Sequence, residues 1–281
     1  MVVFDIGGTF IKYALTAENG ELLTDTVRQT PSHADDDYDA FLGAMEGILR
    51  EAGERQKVRK ACVSIAGPFD FERGISLMRH KFRSLYQKSL RRLFEQAGVD
   101  VMFLHDSTAF MLGEAYDGVL QGRNAPCCVM LGTGLGFAFM RDGKVCVNPQ
   151  RGPAYTLWNA PWLDGTAEDY VSTRAIQGLY GETLPIREIA ERARQGDRKA
   201  GDAFLETGRQ LSAILREIIP RLRCDSFALG GQIAKSADLL GLEVPVEWQV
   251  SRHLDDAALR GASHFVRYGR ENCEQDPGKL F

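Results

Sequence analysis

Two periodicities run along the chain. An apolar run from Val2 to Phe4 meets Asp5, Gly7, Gly8 and Thr9, and apolar alternation resumes from Ile11 to Leu15. The gap is too short for a crossover helix, so the pattern predicts two strands joined by a tight turn, with the glycines at its tip because they take positive φ without penalty. The period then changes: Phe41, Leu42, Met45, Ile48 and Leu49 recur at helical spacing behind an acidic first turn. A strand from Ala61 to Ile65 ending in the Gly67-Pro68 turn, a helix with Leu90, Leu93, Phe94 and Ala97 on its apolar side, and a strand from Val101 to Leu104 follow. That last strand runs into His105 and Asp106, where Ser107 is placed to cap a helix carrying Phe110, Met111 and Ala115.

The stretch "PCCVMLGTGLGFAFMRDG" repeats the opening: apolar strand, glycine-rich tip, resumed strand, and a closing turn at Asp142-Gly143. Beyond an irregular segment from Asn148 to Gly165, helices are expected near Glu168 to Leu179, Ile186 to Arg194 and Lys199 to Arg223, with Pro220 ending or kinking the third. A strand-turn-helix over "SFALGGQIAKSADLL", a strand from Val244 to Val250, a helix from Asp256 to Tyr268 and a polar tail expected to be disordered complete the chain. Alternating strands and helices indicate an α/β architecture. No linker rich in proline and serine interrupts it, so two intimately packed domains are expected, 1–117 and 118–255, with the helix at 256–268 packing back on the first.

Composition narrows this picture. With 281 residues, 44% of them hydrophobic, each domain can bury its own core. The formal net charge of −4 gives no global basic field for nucleic acid. The local basic run of Arg79, Lys81, Arg83, Lys88, Arg91 and Arg92 reads as the solvated face of the helix around Leu90. No basic-then-apolar leader precedes Val2 and no run is long enough to span a bilayer, so a soluble, cytoplasmic protein is expected. The six cysteines contain no Cys-x-x-Cys pair and read as small buried hydrophobes.

The candidate chemistry lies in the glycine turns. "LGTGLG" is not a dinucleotide fingerprint, because "FAFM" runs straight to a turn instead of opening a helix. No glycine is followed by Lys-Ser or Lys-Thr, which removes the Walker loop. What remains is a pair of tips whose uncovered N–H groups suit phosphate. With a threonine on each, Thr9 and Thr133, they can grip a polyphosphate from two sides, and Asp5 can hold its magnesium through water. Gly230-Gly231 forms a third turn, between strand and helix.

In order along nearly the whole chain, "DIGGTFIK", "AGPFDFERG", "HDSTAFMLGE", "LGTGLGFAFMRDGK", "EDYVSTRAI", "FALGGQIAKS" and "LDDAALRGASHFV" resemble the ROK family of sugar kinases and sugar-responsive repressors, within the sugar kinase and actin superfamily. The resemblance implies two ribonuclease-H-like domains with ATP and a hexose in the cleft between them, and a homodimer. It places Gly7, Gly8 and Thr9 at the ATP phosphates, Asp5 at the metal, and Lys12 as added positive charge nearby. Gly132, Thr133 and Gly134 become the opposing clamp, while Gly230 and Gly231 let the backbone approach the adenosine. The family's Asn-Asp pair, which binds the sugar and supplies the base, is His105-Asp106 here. Asp106 is either the base for the attacking hydroxyl or a helix cap, and its family position favours the base. His105 contacts the sugar or satisfies a local backbone group, since imidazole cannot reproduce an amide's donor and acceptor pattern.

The resemblance breaks between Gly143 and Glu168. The family's Glu-x-Gly-His segment and cysteine-rich zinc loop are replaced by "VCVNPQRGPAYTLWNAPWLDGTAEDY", so no zinc is expected and two sugar contacts are missing. Glu168 falls on the family acid after that loop, as a sugar-hydroxyl contact or a solvated acid in a helix's first turn. Trp158 and Trp162 serve either as an aromatic wall for a sugar or as buried packing. The expected function is ATP- and magnesium-dependent phosphorylation of a hexose. The alternatives are a non-catalytic sugar sensor, whose DNA-binding segment is not seen before the first glycine motif, or a kinase of an amino sugar or polyol.

Overall fold

The structure, a computed structural model, describes residues 1–275. Strands β1 (Val2–Ile6), β2 (Phe10–Leu15) and β3 (Arg28–Pro31) form a meander, followed by helix α1 (Tyr38–Arg55) and strand β4 (Lys60–Ile65). A short hairpin of β5 (Phe69–Asp70) and β6 (Ile75–Ser76) precedes α2 (Arg91–Gln96), β7 (Asp100–His105) and α3 (Asp106–Asp117). These strands make a five-stranded sheet in the order β3-β2-β1-β4-β7, antiparallel on the meander side and parallel from β1 onward.

The second half repeats the plan. Strands β8 (Pro126–Leu131), β9 (Leu135–Arg141) and β10 (Lys144–Val147) form another meander, and a two-residue hairpin pairs β11 (Pro161–Trp162) with β12 (Gly165–Thr166). Helices α4 (Ala167–Tyr170), α5 (Thr173–Tyr180), α6 (Ile186–Arg194) and α7 (Arg198–Leu222) lead to β13 (Ser226–Gly230), β14 (Glu247–Val250), α8 (Ala257–Tyr268) and β15 (Cys273–Gln275). The sheet order is β14-β13-β8-β9-β10-β15. Among the described residues, no helix is long and apolar enough to cross a membrane.

Each sheet has its own core. Phe4, Phe41, Met45, Phe82 and Phe94 are buried in the first, and Phe137, Phe204, Leu215 and Phe227 in the second. A third core joins the halves around α3 and α8, taking Val3 and Cys62 from one sheet and Cys128 and Ala138 from the other. The two helices cross backbone to backbone. A Cβ on Gly113 would lie 2.0 Å from the Ala257 carbonyl oxygen, and one on Gly261 would lie 1.8 Å from that of Ala109, so only glycine fits at either place.

Several expectations need correction. None of Gly7, Gly8, Gly132 and Gly134 lies in the left-handed region, so the tips need glycine, where they need it, for space and not for φ. The basic run is not one helical face: α2 has six residues, and Arg79–Ser89 is irregular around a 3-10 turn at Arg83–Leu85, because Phe82 at φ 55° and Gln87 at φ 57° are left-handed and break any helix there although Met78, Phe82 and Leu85 are buried at helical spacing. The helix expected over Glu168 to Leu179 divides at Ser172, whose hydroxyl caps α5 by accepting from the Ala175 N–H. Pro220 does not end α7, since the helix continues to Leu222 and stops at left-handed Arg223. The helix after Gly231 is 3-10 and kinked at Ser236, and the strand from Val244 is ordered as one only from Glu247. Of the polar tail, Cys273–Gln275 pairs with β10, and residues 276–281 lie outside the described residues.

Candidate active site

The parallel order β1-β4-β7 aligns the strand ends at one edge of the cleft. Asp5 near the end of β1 is flanked by Lys12 across the hairpin and Ser64 on β4, whose hydroxyl donates to Asp5 Oδ1 at 3.0 Å. Among the described residues this is the carboxylate's one hydrogen bond. Burial and then the like charge of Asp106 push its pKa up to about 6, against Ser64, Lys12 and Lys81. A carboxylate so under-compensated, with free oxygens facing a cleft, fits a divalent cation.

Asp106 is the first residue of α3, directly after β7. Burial pushes its carboxyl up, but the His105 ring, Lys81 and the Ser107 N–H together outweigh this and hold it below the usual aspartate value. It is deep in the chain yet open to the cleft, its side chain 44% exposed. His105 Nδ1 stands 2.8 Å from Asp106 Oδ1 and 2.8 Å from Ser107 Oγ, and it accepts the Ser107 N–H at 3.2 Å. His105 therefore does cap the helix locally. Nδ1 serves the Ser107 N–H as an acceptor or, when it carries the proton, the Asp106 carboxylate as a donor, never both at once, and Nε2 is the edge turned toward Gly67. The environments of Asp5 and Asp106 thus move two neighbouring carboxyls in opposite directions, a pattern that separates acid-base roles.

Around the first tip, Gly7 N–H donates to Phe10 O at 2.9 Å, Thr9 is exposed, and Gly8 lies under the side chain of Lys81. Lys12 is engaged across the cleft base, donating to the Asp255 carbonyl at 2.9 Å, while the Asp255 carboxylate pairs with Lys235 at 2.8 Å. At the second tip Gly132 N–H donates to Gly134 O at 3.1 Å, Thr173 N–H donates to Gly132 O at 2.8 Å, and Thr133 is exposed.

Glu168 is not a solvated acid. Its Oε2 accepts the Leu135 N–H at 2.9 Å, its Oε1 pairs with Arg174 at 3.3 Å, and a Cβ on Gly134 would lie 2.8 Å from Oε2. Gly132 faces open space. Gly230 gives room to the Phe110 ring and left-handed Gly231 to the Leu131 backbone, so these two glycines seat β13 against α3 and β8.

In the divergent segment, Trp162 takes the packing role, its Nε1 donating to Gln210 Oε1 at 2.9 Å, whereas Trp158 is 47% exposed. Thr166 and Asp169 form a reciprocal cap, and the Tyr170 hydroxyl bonds Asp164. The β11–β12 hairpin is thus held by its backbone pairing together with these side-chain contacts, and no cluster of three or more His, Cys, Asp or Glu suited to a metal occurs among the described residues.

A family model described as the ROK family matches residues 1–152 and 163–268. The chain belongs to the ROK family. The ROK match lapses at residues 153–162, inside the segment where the sequence departs from the family's sugar-binding and zinc-loop pattern. Among ROK relatives, the N-acetyl-D-glucosamine kinase of Photobacterium profundum is 28% identical over 279 residues, covering 89% of this chain and 89% of that protein. The glucokinase of Thermotoga maritima is 23% identical over 271 residues, covering 85% of this chain and 84% of that one. A solved ROK family glucokinase from Streptomyces griseus, in complex with glucose and AMPPNP, superposes with a TM-score of 0.78 at 22% identity, covering 96% of this chain and 99% of that chain. This likeness carries the actin-like two-domain fold.

Sequence reasoning missed three neighbours of the site. Ser64 was legible as the polar residue of "CVSI", which parallel pairing puts beside Asp5. Asp255 lies in the quoted stretch "LDDAALRGASHFV" but was given no role there, and Lys81 was absorbed into a helical face that does not exist.

Proposed function

We propose that this chain is a sugar kinase, transferring the γ-phosphoryl group of ATP to a hydroxyl of a hexose or N-acetylhexosamine. The observation that carries the reading is Asp106: an ionised carboxylate at the C-terminal end of a parallel strand, open to the cleft that Asp5 also faces. The names of the ROK relatives support the same reaction.

In this reading the acceptor hydroxyl gives its proton to Asp106 as its oxygen bonds to the γ-phosphorus and the bond to the β,γ-bridging oxygen breaks, releasing ADP. A low pKa suits a base whose proton arrives late in a loose transition state. His105 sits beside Asp106 by its Nδ1 side and turns Nε2 toward the sugar. Gly7, Gly8 and Thr9 bind the phosphates from one side and Gly132, Thr133 and Gly134 from the other. Lys12 adds positive charge, and Gly230 and Gly231 shape the adenosine side. Asp5 would hold magnesium, which when bound neutralises phosphate charge. Glu168 keeps the second, phosphate-binding tip in shape and is assigned a sugar-hydroxyl contact besides. We take the enzyme as a cytoplasmic homodimer divided at 117/118, with α8 returning to the first domain.

The test is an ADP-release assay with magnesium and ATP across hexoses, N-acetylhexosamines and polyols, with the phosphorylated product identified by mass. Turnover of one sugar well above the ATPase background is expected. No product from any member of the panel would overturn the reading.

A further inference from the structure

We propose that Lys81 is a catalytic residue whose ammonium group binds the γ-phosphoryl group as it passes from the nucleotide to the acceptor. The proposal rests on the kinase reading and adds to it a residue outside every recognised motif.

Placement comes first. The Lys81 Cε lies 3.1 Å from where a Cβ on Gly8 would stand, so its side chain covers the first glycine tip. The segment that presents it is fixed. Phe82 is fully buried with a left-handed backbone at φ 55°, and Ser84 donates to Ala34 O from its N–H at 3.1 Å and from its hydroxyl at 2.8 Å. A bulky aromatic held in that conformation marks a segment determined by its surroundings.

Its charge is also uncommitted. Among the described residues the ammonium makes no ion pair within 4.0 Å, and its one recorded contact is the Phe82 ring at 5.1 Å. Asp35 Oδ2 comes within 3.7 Å of the same Gly8 position, but the other oxygen of that carboxylate accepts the Arg83 N–H and no bridge to Lys81 forms. The alternative cation, Lys12, is already donating to Asp255 O.

Chemistry joins these observations. The positive charge of Lys81 acts on both Asp5 and Asp106, the carboxylates assigned to the metal side and the acceptor side. Between them the transferring group spreads negative charge over three oxygens while one P–O bond breaks and another forms, its proton account already closed by Asp106. A cation already lying over the tip, beside that path, stabilises the transition state without reorganising.

The experiment compares Lys81→Met and Lys81→Arg with wild type, by calorimetry with AMPPNP and with ADP, each with magnesium, and by turnover on the best sugar. Lys81→Met should bind AMPPNP about 10- to 100-fold more weakly, the worth of one hydrogen bond to a charged group, and ADP within about two-fold of wild type. Its kcat should fall by at least about 100-fold, with the sugar KM little changed and Lys81→Arg recovering part of the loss. An unchanged ratio of AMPPNP to ADP affinity in Lys81→Met would overturn the proposal. If wild type itself turns over no sugar, the kinase reading fails, and the calorimetric comparison still decides Lys81.

Discussion

Replacing Asp5 by asparagine should make the ligand-free protein more stable and catalytically inert. A carboxyl raised from an ordinary 3.8 to about 6 carries a penalty of about 3 kcal/mol when fully ionised. The partial opening of Asp5 to the cleft makes this an upper bound. Because the folded pKa is the higher one, the penalty is absent well below 3.8, grows as pH rises through that value, and is complete above about 7. Asparagine keeps the acceptor for the Ser64 hydroxyl and removes the charge that faces Asp106. The melting temperature should therefore rise by about 2–6 °C at pH 8, with the gain shrinking toward zero near pH 4. Scanning fluorimetry across pH without nucleotide or magnesium measures this directly. An Asp5→Asn variant no more stable than wild type at pH 8, or with an equal gain at both ends of the range, would refute the argument that burial and Asp106 strain this carboxylate.

Asp106→Asn preserves shape and capping ability but removes the proton acceptor, so kcat should drop at least about 100-fold with ATP affinity nearly unchanged, as steady-state kinetics and calorimetry would reveal. Gly134→Ala should weaken nucleotide binding by driving a methyl against Glu168, whereas Gly132→Ala, which meets open space, should bind nearly as wild type; equal affinities for the two variants would contradict the described loop. Elemental analysis of the purified protein should find no stoichiometric zinc, since backbone pairing, the Thr166–Asp169 cap and the Trp162–Gln210 bond hold the segment that replaces the zinc loop.

What the sequence revealed, and what it hid, follows from how each feature is encoded. The two meanders and their glycine tips were readable because alternation and turn chemistry are local signals, and Asp106 was readable because strand, acid and cap occur in succession. The reason for the glycines was not. Gly134 faces Glu168, 34 positions away, Gly8 faces Lys81, and Gly230 faces Phe110, contacts that arise only after the chain folds back on itself. The segment from Arg79 to Ser89 misled because its charges and its buried Met78, Phe82 and Leu85 all keep a helical spacing, while the left-handed backbone at Phe82 and Gln87 that breaks the helix leaves no mark in the sequence. The one buried polar position of β4, Ser64, needed a partner strand before it meant anything.

The helix that Asp106 begins is the one that Gly113 anchors against Ala257. With no side chains interposed, α3 and α8 meet at a fulcrum, and both sheets rest on them through the third core. A closing motion about that fulcrum would carry the second glycine tip, on the other sheet, toward Asp106 and the first tip, which share a sheet and move together. The sugar's place would stay still while the phosphate donor is brought to it.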